Sequence, residues 1–172
     1  MRWLYVLLTA DEEGEDMRRS DREITDRNEM IEVMRRCDVC RLALNGEGYP
    51  YILPLNFGME VTEEKIVLYF HGAMEGRKYG LIERDNRASF EMDCAHRLVM
   101  DEERGHCTME YESVIGQGKL TSVPEEEQEA ALERLMRQYR PENADFNKAA
   151  IPRTTVLKLT VEAMTGKKRK KG

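Results

Sequence analysis

The chain has 172 residues, 41% of them apolar, which is enough for one hydrophobic core and too little for two independent domains. A formal charge of −6 argues against general nucleic-acid binding, because polyanions are held through excess Lys and Arg. No apolar run approaches the length of a membrane span.

Residues 1–10 are apolar and hold the only Trp, whereas residues 11–16 are almost wholly acidic. They lack the longer apolar core and small-residue cleavage site of a signal peptide, so residues 1–16 are expected to be a leader or surface appendage ahead of a domain over 17–167. With no secretion signal, a cytoplasmic protein with reduced thiols is the expectation. Asp26 followed by Glu29 reads as a capping box, and Met30, Val33, Met34 and Cys37 recur at helical spacing, predicting a helix over 26–36. The period then changes to two. Residues 41–44 and 51–57 flank Asn45-Gly46-Glu47-Gly48, a hairpin signature, and 66–70 follows a polar turn at 60–64, predicting three strands in a meander.

The stretch Tyr69-Phe70-His71-Gly72-Ala73-Met74-Glu75-Gly76-Arg77-Lys78-Tyr79-Gly80 reads as a strand, a glycine turn and two cations where a short helix begins. Free amides at a helix start attract an anion, and Arg77 and Lys78 add full charges, so this is a candidate seat for a ligand phosphate. The plainer alternative is a strand-to-helix connection with solvated cations. A strand over 88–93, a polar loop over 95–105 and a long strand over 108–123 bent at Gly116 and Gly118 come next. Ser122 with Glu125 is a second capping pattern, and Ala131, Leu132, Leu135, Met136 and Tyr139 line one helix face before Pro141. A β-branched strand over 154–161 and a basic tail complete the pattern. The tail, residues 168–172 after Lys167, is expected to be solvated, with an anionic partner as the alternative.

Four cysteines, Cys37, Cys40, Cys94 and Cys107, include one C-x-x-C pair. No second close pair repeats that spacing, and Cys37 lies on an apolar helix face, so no structural zinc is expected. His96 and His106 fall in the polar loop and are expected on the surface. About six antiparallel strands with three helices imply an α+β barrel or strongly curved sheet. Neither a GxGxxG nor a GxxxxGK[ST] motif is present.

The order of these elements resembles the pyridoxamine 5′-phosphate oxidase-like flavin-binding split barrels, and in particular their 5-nitroimidazole reductase (nitroimidazole-resistance) branch. The resemblance spans about residues 17–167. It rests on an Arg-Leu-Ala strand after the first helix, on the hairpin segment 48–57, on Tyr69-Phe70-His71 with Gly76-Arg77-Lys78, and on 111–118 as the long interface strand. It implies an antiparallel six-stranded split β-barrel with flanking helices, assembled as a homodimer with two FMN.

In the family pattern Arg77 and Lys78 hold the FMN phosphate. Leu53, Pro54, Leu55 and Asn56 lie along the isoalloxazine, Tyr69, Phe70 and His71 sit beside the ring or ribityl chain, and Tyr111 and Ser113 reach the partner's flavin. The carboxyl end lacks the Arg- and His-rich motif of the true vitamin oxidase and instead resembles the nitroimidazole-reductase branch.

The function implied is reduction of a small organic acceptor, such as a nitroaromatic, by an FMN enzyme drawing on NAD(P)H, with His71 as candidate proton source. The alternatives are a flavin-nucleotide carrier or sensor without turnover, and a haem-binding split barrel with His71 as axial ligand. Neither nucleic acid nor membrane is expected as a partner.

Overall fold

The computed structural model describes residues 19–170; the expected leader over 1–16 and the last two residues of the basic tail lie outside the described residues. The Asp26 side chain accepts from the amides of Asn28 (2.6 Å) and Glu29 (3.0 Å), and α1 (Arg27–Arg36) follows with Met30, Ile31, Val33 and Met34 buried. Ahead of it a two-residue strand, β1 (Glu23–Ile24), pairs with the last strand of the chain. The expected hairpin is formed by β2 (Cys40–Leu44) and β3 (Tyr51–Leu55).

After it come β4 (Gly58–Val61), β5 (Ile66–Gly72), α2 (Arg77–Arg84), β6 (Arg87–Asp101), β7 (His106–Ser122), α3 (Glu125–Tyr139), a 3-10 segment over Lys148–Arg153, and β8 (Thr155–Arg169). None of the described helices is long and apolar enough to cross a membrane.

The sheet is antiparallel, with strands in the order β3-β2-β6-β7-β8-β5-β4 and β1 attached to β8. The expected meander is therefore corrected: β5 pairs with β4 and β8, and among the described residues β3 pairs only with β2. Strands β3 and β4 stand at opposite ends of the sheet yet only Asn56 and Phe57 separate them in sequence. The sheet must roll up to bring its two ends together, and among the described residues the seam between them carries no strand ladder. That unpaired seam is the split of the barrel.

Phe57 plugs the seam, fully buried, and its amide donates to the Tyr139 hydroxyl (3.0 Å). The same hydroxyl donates to the Asp38 carbonyl (2.9 Å), which also accepts from the Asn56 side chain (3.2 Å). Gly58 meets the α3 backbone at Arg134 and Leu135 so closely that a Cβ has no room.

Four further expectations are corrected. Eight strands are present among the described residues against six expected, because Glu23–Ile24 forms β1 and Gly58–Val61 forms β4 where Glu60 suggests a turn. The expected loop over 95–105 is mostly strand. After a register shift between Cys94 and Arg97, with Ala95 at φ 57°, β6 and β7 continue as a ribbon to Asp101 opposite His106. The basic tail is no solvated end as far as it is described: Lys168 and Arg169 lie in β8, and Lys168 pairs with Glu29 (2.6 Å). Ser122 does not cap α3, whose N-cap is Pro124 with no side-chain hydrogen bond. The glycine bend is observed, since β7 shifts register against β8 between Gln117 and Gly118.

The barrel interior is filled by Leu42, Leu44, Phe57, Leu68, Phe70, Phe90, Met92, Val114, Leu120 and Leu159, closed on one side by Met30 and Met34 of α1. A second cluster places Ala131 and Leu132 of α3 on Val67, Tyr69 and Val156, the outer face of β5 and β8. At the end of α1 the Gln138 side chain of α3 donates to the carbonyls of Arg35 (3.1 Å) and Cys37 (3.1 Å), supplying donors that a helix C-terminus lacks.

Candidate functional site

The N-cap of α2 is Gly76, whose φ of 144° is a conformation L side chains rarely adopt. No side chain caps this end and no acidic residue occupies its first turn. The amides there, with the partial positive charge of the helix start, face outward together with Arg77 and Lys78. Two contacts aim the cations. The Arg77 guanidinium stands over the Tyr51 ring, 5.1 Å from its centroid, and Lys78 Nζ lies 4.4 Å from the centroid of Tyr79. A Cβ on Gly72 would approach Lys78 Nζ to 3.0 Å, so glycine at the end of β5 leaves the ammonium its place. The Tyr79 hydroxyl closes the 73–76 turn by donating to the Ala73 carbonyl. Farther along, Leu81 anchors α2 in the core, and Asn45 donates to Asp85 just past its end (2.8 Å), tying α2 to the β2–β3 hairpin.

That hairpin brings β3 beside the cations. Leu53 and Leu55 turn toward the core, opposite Leu42 and Cys40, while Ile52, Pro54 and Asn56 are exposed. As an edge strand, β3 leaves one row of main-chain groups unpaired and available to a ligand. Arg77, Lys78 and the 53–56 segment therefore belong to one region, linked through Tyr51. The sequence reading missed Tyr51; its signal was its place at the first pair of the hairpin, opposite Leu44.

Tyr69, Phe70 and His71 do not join this region as expected. Phe70 is 1% exposed inside the barrel. Tyr69 faces α3, where its hydroxyl donates to Glu60 (2.7 Å) and Arg134 stands over its ring at 5.5 Å; burial, then the Glu60 hydrogen bond, pushes its pKa up to about 12. His71 follows Val67 and Tyr69 on the same outer face by strand alternation, opposite to the face of Gly72 and Lys78. It lines a cleft of about 190 Å³ with Leu132, Leu135, Met136 and Phe146.

Ser113 and Tyr111 lie on β7, on the face away from the core. Ladder partners share a face, so the row Pro54, Arg41, Glu91, Ile115, Thr165 and the neighbouring row Ile52, Ala43, Ser89, Gln117 form one uncovered sheet surface. Ile52 is 63% exposed and Ile115, on a central strand, 53%. A cleft of about 400 Å³ opens there among Ala43, Asn45, Pro50, Ser89, Gln117 and Glu162. On the same surface Arg41 pairs with Glu91 (3.0 Å) and with Asp93, which also pairs with His96 (2.7 Å).

On the inner face of β7, Glu112 is 3% exposed and pairs with Arg36 and with Lys170 (2.7 Å). Burial alone would raise its pKa, but hydrogen bonds from Lys170 and Arg36 bring it below the ordinary range. All four cysteines are free thiols, Cys37 and Cys40 buried, and no group of three or more His, Cys, Asp or Glu among the described residues is arranged to hold a metal ion.

A family profile described as pyridoxamine 5′-phosphate oxidase matches residues 26–168. A presumed 5-nitroimidazole antibiotic resistance protein from Bacteroides thetaiotaomicron is 30% identical, with a TM-score of 0.73 over 84% of this chain and 85% of that one. A FAD- and haem-binding protein from Mycobacterium smegmatis shares the fold at 16% identity and TM-score 0.72, covering 87% of this chain and 74% of its own. A flavocytochrome from Azotobacter vinelandii does so at 16% identity and TM-score 0.71, covering 90% and 72%. Among curated proteins none matches the chain.

Proposed function

Because the chain belongs to the pyridoxamine 5′-phosphate oxidase family, we propose that it binds FMN as a homodimer and reduces a small electron-poor acceptor, a nitroaromatic of the 5-nitroimidazole class, at the expense of NAD(P)H. The observation that carries this reading is the first turn of α2: an uncapped helix start, free of acidic residues, with Arg77 and Lys78 side by side and Tyr51 of β3 beneath Arg77. These residues fit a phosphate monoester. Glycine at 76 lets the backbone approach, and glycine at 72 keeps Lys78 unobstructed.

Bound FMN supplies the two-electron chemistry, which is why no catalytic triad is needed. The chain's own residues bind and orient. Arg77 and Lys78 neutralise the phosphate, each charge-assisted hydrogen bond contributing about 1.5 to 3 kcal/mol. Leu53 and Leu55 fix β3 against the core, so that its free edge and the exposed Pro54 and Asn56 meet the ring system. The uncovered sheet surface bearing Ile52 and Ile115 packs on a second copy, which places Ser113 and Tyr111 at the joint, near the partner's cofactor. Four free thiols suit a reducing, cytoplasmic setting.

His71 is left out of this site, since its face of β5 is the one away from Lys78. Haem ligation by His71 is disfavoured as well, because its cleft of about 190 Å³ falls below the size of ordinary cofactor pockets, roughly 300 to 1,000 Å³. The test is anaerobic reduction of FMN-loaded protein with NADPH or NADH, followed by addition of a 5-nitroimidazole. Flavin absorbance that bleaches and then returns as the nitro compound is consumed supports the enzyme. Bound flavin that neither nucleotide reduces indicates a carrier or sensor, and a strong Soret band in place of flavin absorbance would overturn the reading.

A further inference from the structure

The thiols of Cys37 and Cys94 meet across the fold. Cys37 ends α1, and its thiol donates to the Val33 carbonyl (3.3 Å). The Cys94 thiol, on β6 at the last residue before the register shift, reaches the same oxygen at 3.9 Å, so both sulfurs gather at one carbonyl. They differ in setting. Cys37 is 3% exposed, and burial, followed by the charge and hydrogen bond of Cys94, pushes its thiol up. Cys94 is partly exposed, with Arg36 beside it and the Glu112 carboxylate 4.0 Å from its sulfur. Exposure decides which of the two thiols a peroxide reaches first, and that is Cys94. The neighbour of Cys37 in sequence, Cys40, is fully buried at the start of β2.

We propose that Cys94 and Cys37 form a peroxide-oxidisable pair in which Cys94 is the attacking thiol and Cys37 the resolving one, closing a single intramolecular disulfide between α1 and β6. The Cys94 sulfur attacks one oxygen of hydrogen peroxide, the O–O bond breaks, and the thiol proton leaves with the other oxygen as water, giving a sulfenic acid. The Cys37 sulfur then attacks the Cys94 sulfur; the S–S bond forms, the S–O bond breaks, and the hydroxyl departs as water with the Cys37 proton. Two thiols lose two electrons in total, and the peroxide becomes two waters. A dithiol reductant reverses the reaction by exchange. Oxidation also removes both thiol donors from the Val33 carbonyl, so the end of α1 feels the change directly.

The test is treatment of the reduced full-length protein with equimolar hydrogen peroxide, alkylation, and mass spectrometry of a non-reducing digest. Cleavage after Arg36 and Arg41 leaves Cys37 and Cys40 in one peptide, so the measurement is repeated on Cys40→Ala protein. The expected product is a cross-link from that peptide to the one containing Cys94, unchanged by Cys40→Ala and lost with dithiothreitol. Cys37→Ser should stop at a Cys94 sulfenic acid trapped by dimedone, and Cys94→Ser should leave Cys37 reduced. Wild-type Cys94 that stays reduced or runs on to the sulfinic acid while Cys37 remains free overturns the proposal. So does a cross-link that disappears with Cys40→Ala.

Discussion

The Arg77 guanidinium lies over the ring of Tyr51, 5.1 Å from its centroid, so the first residue of α2 is held by the first residue of β3. The cation of the candidate phosphate site and the strand expected to run along the flavin are thus positioned by one contact. If the two halves act together, removing the ring has to disturb anion binding even though tyrosine itself makes no phosphate contact. Tyr51→Leu keeps the apolar bulk and removes the cation–π term, worth about 0.5 to 1 kcal/mol at an exposed site. FMN affinity in a fluorescence titration should fall by roughly two- to fivefold.

Removing the cations themselves should cost far more. Arg77→Ala with Lys78→Ala should weaken FMN by several kcal/mol, since each charge-assisted contact is worth about 1.5 to 3 kcal/mol and the two need not add. Riboflavin, which lacks the phosphate, should bind wild type and double variant alike. Calorimetric titration of both ligands into both proteins checks this, and unchanged FMN affinity in the double variant would remove the phosphate from this helix start.

The exposed sheet surface predicts the assembly. Ile115→Lys places a charge in the middle of a surface that should bury an apolar residue in the homodimer. Sedimentation velocity should show wild-type dimer and variant monomer. Because Ile115 is 53% exposed in the single chain, the monomer's own stability should change by no more than about 0.5 kcal/mol.

Gln138 sets how firmly α1 is held. Its side-chain amide donates to the Arg35 and Cys37 carbonyls, and Gln138→Ala strands both. The loss should be about 1 to 2 kcal/mol, and a chain of this size moves its melting temperature by about 2 to 4 °C per kcal/mol. Thermal unfolding followed by circular dichroism is the measurement.

Acid stability should follow Glu112. Its folded pKa lies below the ordinary carboxylate value of 4.5, so the stability it contributes is fully present above that value. It is lost as the pH falls through the lowered folded value, when the carboxyl protonates and its bonds to Arg36 and Lys170 weaken. Glu112→Gln should cost about 1 to 3 kcal/mol at neutral pH and flatten the fall in melting temperature below about pH 4.5.

What was legible in the sequence was local. Asp26 with the Met30, Val33, Met34 spacing defined α1 because cap and periodicity act within a few residues, and the Gly76-Arg77-Lys78 run marked the start of α2 for the same reason. The neighbours of β5 were not legible, because pairing Leu68 with Leu159 joins residues distant in the chain and leaves no mark in either segment. Residues 95–105 read as a loop because neither face of the ribbon they begin reaches the core, so its hydrophobic alternation is broken by charge. The resemblance puts His71 beside the cofactor, but a strand reverses face at every residue, and only the packing of Val67 and Tyr69 on α3 reveals which face His71 takes. Tyr51 was invisible as a site residue because its role is to lie beneath an arginine from a later helix.

Strand β8 is bonded to β1, β5 and β7, yet it is the last of the described strands to be synthesised. Until it emerges from the ribosome, β5 and β7 each present an open edge, and β1 has nothing to pair with. The strands made before residue 155 therefore cannot settle into their final sheet during translation, and the growing polypeptide carries two adhesive edges for as long as residues 155–169 remain in the exit tunnel. A holding chaperone that shields those edges has its greatest value in that interval, and a nonsense mutation anywhere before β8 should yield an aggregating fragment rather than a smaller working protein.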